Sequence, residues 1–450
     1  MAKVFITGAT GQVGSHLAEY LAGSLKGRKE VGGSGKPRYD DPVGIPGLPG
    51  LESEKDILCL VRPRRRVTRK DTVERISEKA SVPVASVPVG SVPVGIPSGR
   101  GVALLEKLGV KIITGDLSDR DLLFEVLRKV DYVFHLAANV YVYSSFDDMY
   151  RANVEGTKNL LDAFVASKGR LFVHTSSIIV YDTSKKAFKL CGSRERAVKT
   201  FGNIGAEKIF DFREDCPWGP VERGKDIPYA VTKRLGERLV LKYAAQYAER
   251  YGAGYGGLGR QNAKQGKTGQ KLFVITRLGP VVGSRDRQMI PALVESMRVP
   301  LPRLVGGGRT RISLTAPKDV ARAQVFLALK LLKGEISSGE VFNIANEMVS
   351  FRELFSFVAE YYERKPPSFS IPRWIFRLVK PLLKFARRFV PHNMFIQTFF
   401  SPSALEYLEK SYSYNSDKLR SLGFRFAVPI RESVLEGLRE LDPEKKMLLK

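Results

Sequence analysis

VFITGATGQVG, residues 4–14, is the stretch that decides the fold. Four strand-forming residues run into a turn that spaces Gly8, Gly11 and Gly14 three apart, and SHLAEYLAGSL follows with apolar residues at helical spacing. Glycines in this order let a chain turn tightly, approach a pyrophosphate and seat a helix on a sheet, while the helix N-terminus favours negative charge. A glycine triplet alone is a weak signal. Between a strand and a helix it reads as a dinucleotide-binding turn, against the plainer alternative of a turn that only packs tightly.

The alternation continues outward. GVKIITGDLSD (109–119) reads as strand and turn, RDLLFEVLRKV (120–130) as helix, DYVFHLAANV (131–140) as strand, NVEGTKNLLDAFVAS (153–167) as helix and LFVHTSS (171–177) as strand. Strands alternating with amphipathic helices imply parallel pairing with helices on both faces. The expected fold is therefore α/β, a Rossmann-type doubly wound parallel sheet, with a smaller, mostly helical C-terminal substrate lobe. The division expected is 1–290 for the dinucleotide-binding domain and 291–450 for the lobe, partly interwoven. Gly- and Pro-rich or polar insertions are expected near 27–54, 78–101, 185–208 and 251–270. The second contains the repeat SVPVA, SVPVG, SVPVG at 81–95, whose prolines favour an extended, exposed arm.

Composition narrows the partners. The chain has 73 Lys and Arg against 47 Asp and Glu, a formal +26 with pI near 9.9. That excess favours anionic partners such as phosphate cofactors or acidic lipid, with nucleic acid the least expected. Three cysteines without a Cys-x-x-Cys and four scattered histidines exclude a disulfide framework and make a metal site unexpected. The chain shows no signal-peptide blocks and no uncharged apolar run of the ~18 residues that suggest a membrane span. A cytoplasmic location is expected, with a small-molecule substrate and a homodimer as a candidate assembly.

Particular residues suggest the chemistry. After the second strand, LVRPRRR stands where an acidic residue would bind the ribose of NAD; Arg62 there suits a 2′-phosphate and favours NADP, although NAD remains open and a solvated basic run is the alternative. Asp116 in GDLSD is placed to receive an adenine amino group or to cap the next helix. In PYAVTK (228–233), Tyr229 and Lys233 lie one turn apart and project from one side of a helix that Pro228 opens. Hydride transfer at a carbon bearing oxygen needs a positioned acid/base, and a nearby ammonium together with the cationic nicotinamide ring would lower a tyrosine from about 10 toward the working range.

The ordered series TGATGQVG, GDLSD, HLAANV, NVEGT, HTSSIIVY and YAVTK resembles the extended short-chain dehydrogenase/reductases, the NAD-dependent epimerase/dehydratase group. The likeness extends through ITRLGPVVG, RISLTAPKDVARA and EVFNIANEMVSFRELF. The resemblance implies an NAD(P)-dependent enzyme in which Gly8, Gly11, Gln12, Val13 and Gly14 line the pyrophosphate. It places Asp116 and Leu117 at the adenine, Ala137 and Ala138 along the cofactor, and Asn153 at the family asparagine. Ser177, Tyr229 and Lys233 become the catalytic set, the last two also touching cofactor. Two departures stand out: Asp182 replaces the usual glycine in VYD, and Pro280 replaces the asparagine of many nucleotide-sugar enzymes. HTSSIIVY resembles the 3β-hydroxysteroid dehydrogenase branch, which implies a hydrophobic sterol-like or acyl alcohol or ketone. A nucleotide-sugar epimerase/dehydratase is the alternative, and a non-catalytic dinucleotide-fold binding protein a second.

Residues 364–405 contain no Asp or Glu, while Arg373, Arg377, Lys380, Lys384 and Arg387 recur at intervals of three and four. Trp374, Ile375, Leu378, Val379, Leu382, Leu383 and Ala386 fill the complementary positions, giving a basic amphipathic helix or a pair with Pro381 opening the second. Packing on the core, covering the substrate as a lid, or peripheral contact with an anionic membrane through 371–390 all suit this pattern.

Overall fold

Apolar runs of four to seven residues form the centre of the protein, as a computed structural model that describes residues 1–30, 47–62, 99–141, 144–184, 187, 209–250, 270–298, 304–386, 389 and 402–448. Seven of these runs are strands of one sheet: β1 (Val4–Thr7), β2 (Ile57–Val61), β3 (Lys111–Thr114), β4 (Tyr132–His135), β5 (Leu171–Ser177), β7 (Leu272–Leu278) and β10 (Glu340–Ile344). Their order is β10-β7-β5-β4-β1-β2-β3, and every pairing is parallel. Connections leave β1 in one direction and β4 in the other, so the switch point lies between β1 and β4, the place where open α/β sheets bind ligands.

Both faces are covered, which explains why the strands read as nearly unbroken apolar runs. On one face Val4, Ile6 and Phe134 pack under the helices Gln12–Glu30 and Pro317–Leu332. On the other, Phe5, Phe172 and Phe273 pack under Gly156–Ala166 and Pro228–Arg250. The fold class expected from the sequence is the one observed.

A second sheet, β11-β9-β13-β6, combines β6 (Ile209–Phe212), β9 (Arg311–Leu314), β11 (Glu347–Ser350) and β13 (Ser411–Tyr414). A two-stranded pair joins β8 (Leu304–Val305) to β12 (Ser370–Ile371). The interweaving runs both ways: β10 lies beyond residue 290 yet edges the central sheet, whereas β6 precedes it and joins the second sheet.

Several local expectations change. The first helix continues to Glu30, and a helix starts at Gly99, so the first two insertions are shorter than read. The SVPV repeat and most of the other insertions lie outside the described residues. Pro381 sits inside a single helix, Arg373–Ala386, rather than opening a second; it forgoes only its own hydrogen bond to the turn before. Cys59 is a buried free thiol, but Cys216 is disulfide-bonded, a bridge the cysteine count did not anticipate.

Candidate active site

The glycine turn is shaped by backbone meeting backbone. Gly8 has φ of +71°, and a Cβ there would stand 2.7 Å from the Ala137 nitrogen at the end of β4. A Cβ on Gly14 would stand 2.3 Å from the Gly8 carbonyl oxygen, so the helix can start this close to the strand only with glycine. Thr7 secures the switch point: its Oγ1 accepts from the amides of Leu136 and Ala137, both at 3.2 Å, and bonds the His135 ring at 2.8 Å. Val13 packs against the sheet core, and the Gln12 amide donates to the Ser284 carbonyl at 3.2 Å. Arg287 donates to the Thr10 carbonyl at 3.1 Å, which puts a guanidinium beside the turn. The sequence reading missed Arg287 because it is 277 positions away in sequence. A close backbone, a helix N-terminus and a cation together fit a dinucleotide pyrophosphate.

At the other end of this edge, Arg62 and Asp116 meet each other. Their Nε and Oδ2 are 2.6 Å apart where β2 and β3 end, with the Arg62 side chain 69% exposed. Burial works against the Asp116 carboxylate, but the Ser118 amide and the Arg62 guanidinium together hold it below its usual range. Leu117 turns inward against Gly156, and its carbonyl accepts from Asn159 at 3.0 Å. Ala138 continues the chain from Ala137 and is partly exposed.

Ser177, Tyr229 and Lys233 converge. The Tyr229 helix begins at Pro228, as its fixed φ favours. Tyr229 stands next to Ser177 at the C-terminal end of β5, near enough for the serine hydroxyl to favour its ionised form. Both remain partly exposed, whereas Lys233 is buried and donates to the Thr175 carbonyl at 2.7 Å. Asn153 sits in a π-helical turn, Arg151–Glu155, a distortion common at functional sites. Its side chain accepts from the Asn139 amide at 2.7 Å and donates to Thr232 at 3.1 Å, tying the β4 loop to the Tyr229 helix.

The titration of the tyrosine departs from expectation. Burial pushes the Tyr229 hydroxyl up to about 12, with the Ser177 hydrogen bond working the other way. Lys233 does not bring it down, because its ammonium is directed at a carbonyl instead of the phenol. Burial also lowers Lys233 to about 8, opposed by the charge of Glu237, so the lysine is still mostly cationic at neutral pH.

Glu237 is the second residue the sequence reading passed over. It lies one turn beyond Lys233 on the same helix face, is fully buried, and accepts a short hydrogen bond from Ser176. Arg277 of β7 holds it with Nε at 3.0 Å and Nη2 at 2.7 Å, and donates onward to the Tyr181 hydroxyl at 2.9 Å. Tyr181 in turn donates to Asn343 of β10 at 2.6 Å. This buried polar chain pins three strands to the helix that carries Tyr229 and Lys233. A repeat of four, Tyr229-Lys233-Glu237, and an arginine inside the apolar strand LFVITRL were its only sequence traces.

Comparisons with known proteins agree with this geometry. A 3beta-hydroxysteroid-dehydrogenase/decarboxylase isoform 2 of Arabidopsis thaliana is 25% identical over 334 residues, covering 72% of this chain and 51% of the plant protein. A 2-alkyl-3-oxoalkanoate reductase of Stenotrophomonas maltophilia is 28% identical over 251 residues, covering 56% of this chain and 62% of that one. The chain thus spans between half and two-thirds of the length of these relatives. Among solved structures, the UDP-glucuronic acid 4-epimerase of Bacillus cereus shares the fold with a TM-score of 0.56 at 18% identity, covering 98% of this chain and 96% of that one. The family model for the NAD dependent epimerase/dehydratase family matches residues 87–345, which takes in the π-helical turn, Ser177 and the Tyr229 helix. On that match, and on a site assembled at the β1–β4 switch point, the chain belongs to the NAD dependent epimerase/dehydratase family.

Proposed function

We propose that the protein is a nicotinamide-dependent oxidoreductase that interconverts a secondary alcohol and a ketone on a largely apolar substrate. The observation that carries this reading is the placement of Tyr229 next to Ser177 at the end of β5, with Lys233 one helical turn behind and bonded to the Thr175 carbonyl. When bound, the nicotinamide ring supplies the hydride acceptor or donor. Tyr229 gives or takes the proton on the reacting oxygen, Ser177 donates a hydrogen bond to that oxygen, and Lys233, held at the Thr175 carbonyl, keeps a cation beneath the site for the cofactor ribose.

The substrate class follows from the names of the curated relatives. One acts on a 2-alkyl-3-oxoalkanoate, and another, in Homo sapiens and 23% identical over 323 residues, is a sterol-4-alpha-carboxylate 3-dehydrogenase. In both names the reacting carbon neighbours the carbon that carries a carboxylate. A 3-hydroxy or 3-oxo acid on a hydrophobic body is the substrate we favour, and Pro280 argues against a sugar nucleotide.

For the cofactor we favour NADP through Arg62, with Asp116 as the group that orients the guanidinium. The test is a panel of 3-hydroxy steroids, their 4-carboxylates and 2-alkyl-3-oxo acids, followed by cofactor absorbance with NADP and with NAD. Net oxidation or reduction is expected, with NADP preferred; Arg62→Ala narrows the preference by roughly tenfold, the value of one charge-assisted hydrogen bond. An unchanged preference removes Arg62 from that role. Conversion of a UDP-sugar without net redox change would replace the reading with an epimerase, and cofactor binding without any turnover would favour a binding protein.

No helix among the described residues is long and apolar enough to cross a membrane. The cytoplasmic location expected from the sequence stays part of this proposal, and cell fractionation tests it.

A further inference from the structure

The helix Arg373–Ala386 has two apolar sides, and only one is used. Phe376 is buried, packing with Val305 and Leu405, and Val379 and Leu383 support it from the same side. On the other side Trp374, Leu378, Leu382 and Phe385 are 63%, 72%, 64% and 52% exposed, and Phe389, stacked edge-on against Phe385, is 71% exposed. The spacing of four, four and three from Trp374 to Phe385 draws one continuous stripe along the helix, and Phe389 extends it through its contact with Phe385. The sequence pattern had put both sides on one face; the structure separates them.

An exposed stripe of this size on a helix marks an interaction site. Its surroundings identify the partner. From residue 364 to residue 405 the chain carries eight Lys and Arg and no acidic residue. Arg377, 63% exposed at the side chain, borders the stripe beside Trp374, whereas Lys380 is 14% exposed and lies next to the buried seam. Glu409, reaching in from a neighbouring segment, holds Arg377 at 2.8 Å and Lys380 at 2.9 Å, fixing the helix to the lobe while the stripe stays free. Large apolar and aromatic side chains in a row, bordered by Arg377 and set in a segment with eight cations and no acid, match the headgroup and acyl layers of an anionic bilayer.

We infer that the Trp374–Phe389 stripe docks this protein on the surface of an anionic membrane, with the apolar row in the acyl boundary and the basic edge at the headgroups. The inference does not depend on the reaction assigned above. It concerns a surface that the catalytic residues do not share.

The test is sedimentation of the full chain with vesicles of phosphatidylcholine alone and of phosphatidylcholine containing phosphatidylserine, at low and raised salt. The protein is expected to bind the anionic vesicles at least about tenfold more tightly, with salt weakening the difference. Leu378→Ser combined with Leu382→Ser should reduce binding by about tenfold or more, since both side chains lose their insertion energy. Because both are exposed, an unchanged melting temperature separates this loss from misfolding. Trp374 emission should shift to the blue on binding, and the shift should vanish in Trp374→Phe, which leaves Trp218 in place. Equal binding to neutral vesicles, no binding at low salt, or full binding by the double variant would overturn the proposal. So would a dimer that the double variant dissolves while vesicle binding is absent, which would make the stripe a contact between copies. Impaired turnover of a water-soluble substrate in the double variant, with vesicle binding intact, would overturn it in favour of a lid.

Discussion

Tyr229→Phe is expected to lower kcat by about 10²- to 10⁴-fold, the usual contribution of a positioned acid or base. Phenylalanine keeps the ring and its packing and removes only the hydroxyl, so the change isolates proton transfer. The KM for cofactor should move little, because the glycine turn, Arg287 and Lys233 are untouched. The Ser177 hydroxyl loses its partner but stays partly exposed, where water replaces the phenol. Steady-state kinetics on the substrate found with the panel above gives the answer; full turnover in the variant would take Tyr229 out of the reaction.

Glu237→Ala should cost stability on a comparable scale. Arg277 and Glu237 are 2% and 0% exposed at the side chain, and removing one partner strands the other charge away from water. Breaking a buried pair in this way costs about 3–5 kcal/mol. Chemical denaturation should show a lower midpoint with a similar slope. The double replacement Glu237→Met with Arg277→Met should recover much of the loss, since desolvation of both charges disappears together. A single variant as stable as the parent would mean that the Tyr181 hydroxyl and the Glu214 carbonyl already satisfy Arg277 without its carboxylate. The pair also bears on the site. Glu237 opposes the lowering of Lys233, so its loss should let burial lower that lysine further and weaken the cation behind Tyr229.

The central sheet was legible in the sequence because each of its features is local. A buried parallel strand reads as an apolar run, and the glycine turn is a contiguous string whose spacing carries its geometry. Ser177, Tyr229 and Lys233 were legible by resemblance, and the structure brings them together despite 52 positions between the serine and the tyrosine. Arg62 and Asp116 were located correctly at neighbouring strand ends, but their ion pair depends on register between β2 and β3, which the sequence does not display. Glu237 and Arg277 escaped for the same reason: each looks ordinary on its own element, and only the packing of the helix on β7 joins them. The spacing of Tyr229 and Lys233 shows that they share a face, not that the ammonium is directed at the Thr175 carbonyl. The basic helix was legible as amphipathic, yet periodicity could not say which apolar side the lobe would cover.

If Tyr229 is the acid/base of this site, a bound nicotinamide cofactor should tune its ionisation. Spectrophotometric pH titration of tyrosinate, with and without oxidised cofactor and differenced against Tyr229→Phe, tests it most directly. Without cofactor the tyrosine should ionise near 12, where burial holds it. With oxidised cofactor the positive ring charge should draw that ionisation downward, toward neutral pH, and the step should be missing from the variant. A cofactor that binds and leaves the titration of Tyr229 where it was, or a protein that binds neither NAD nor NADP, would contradict the account.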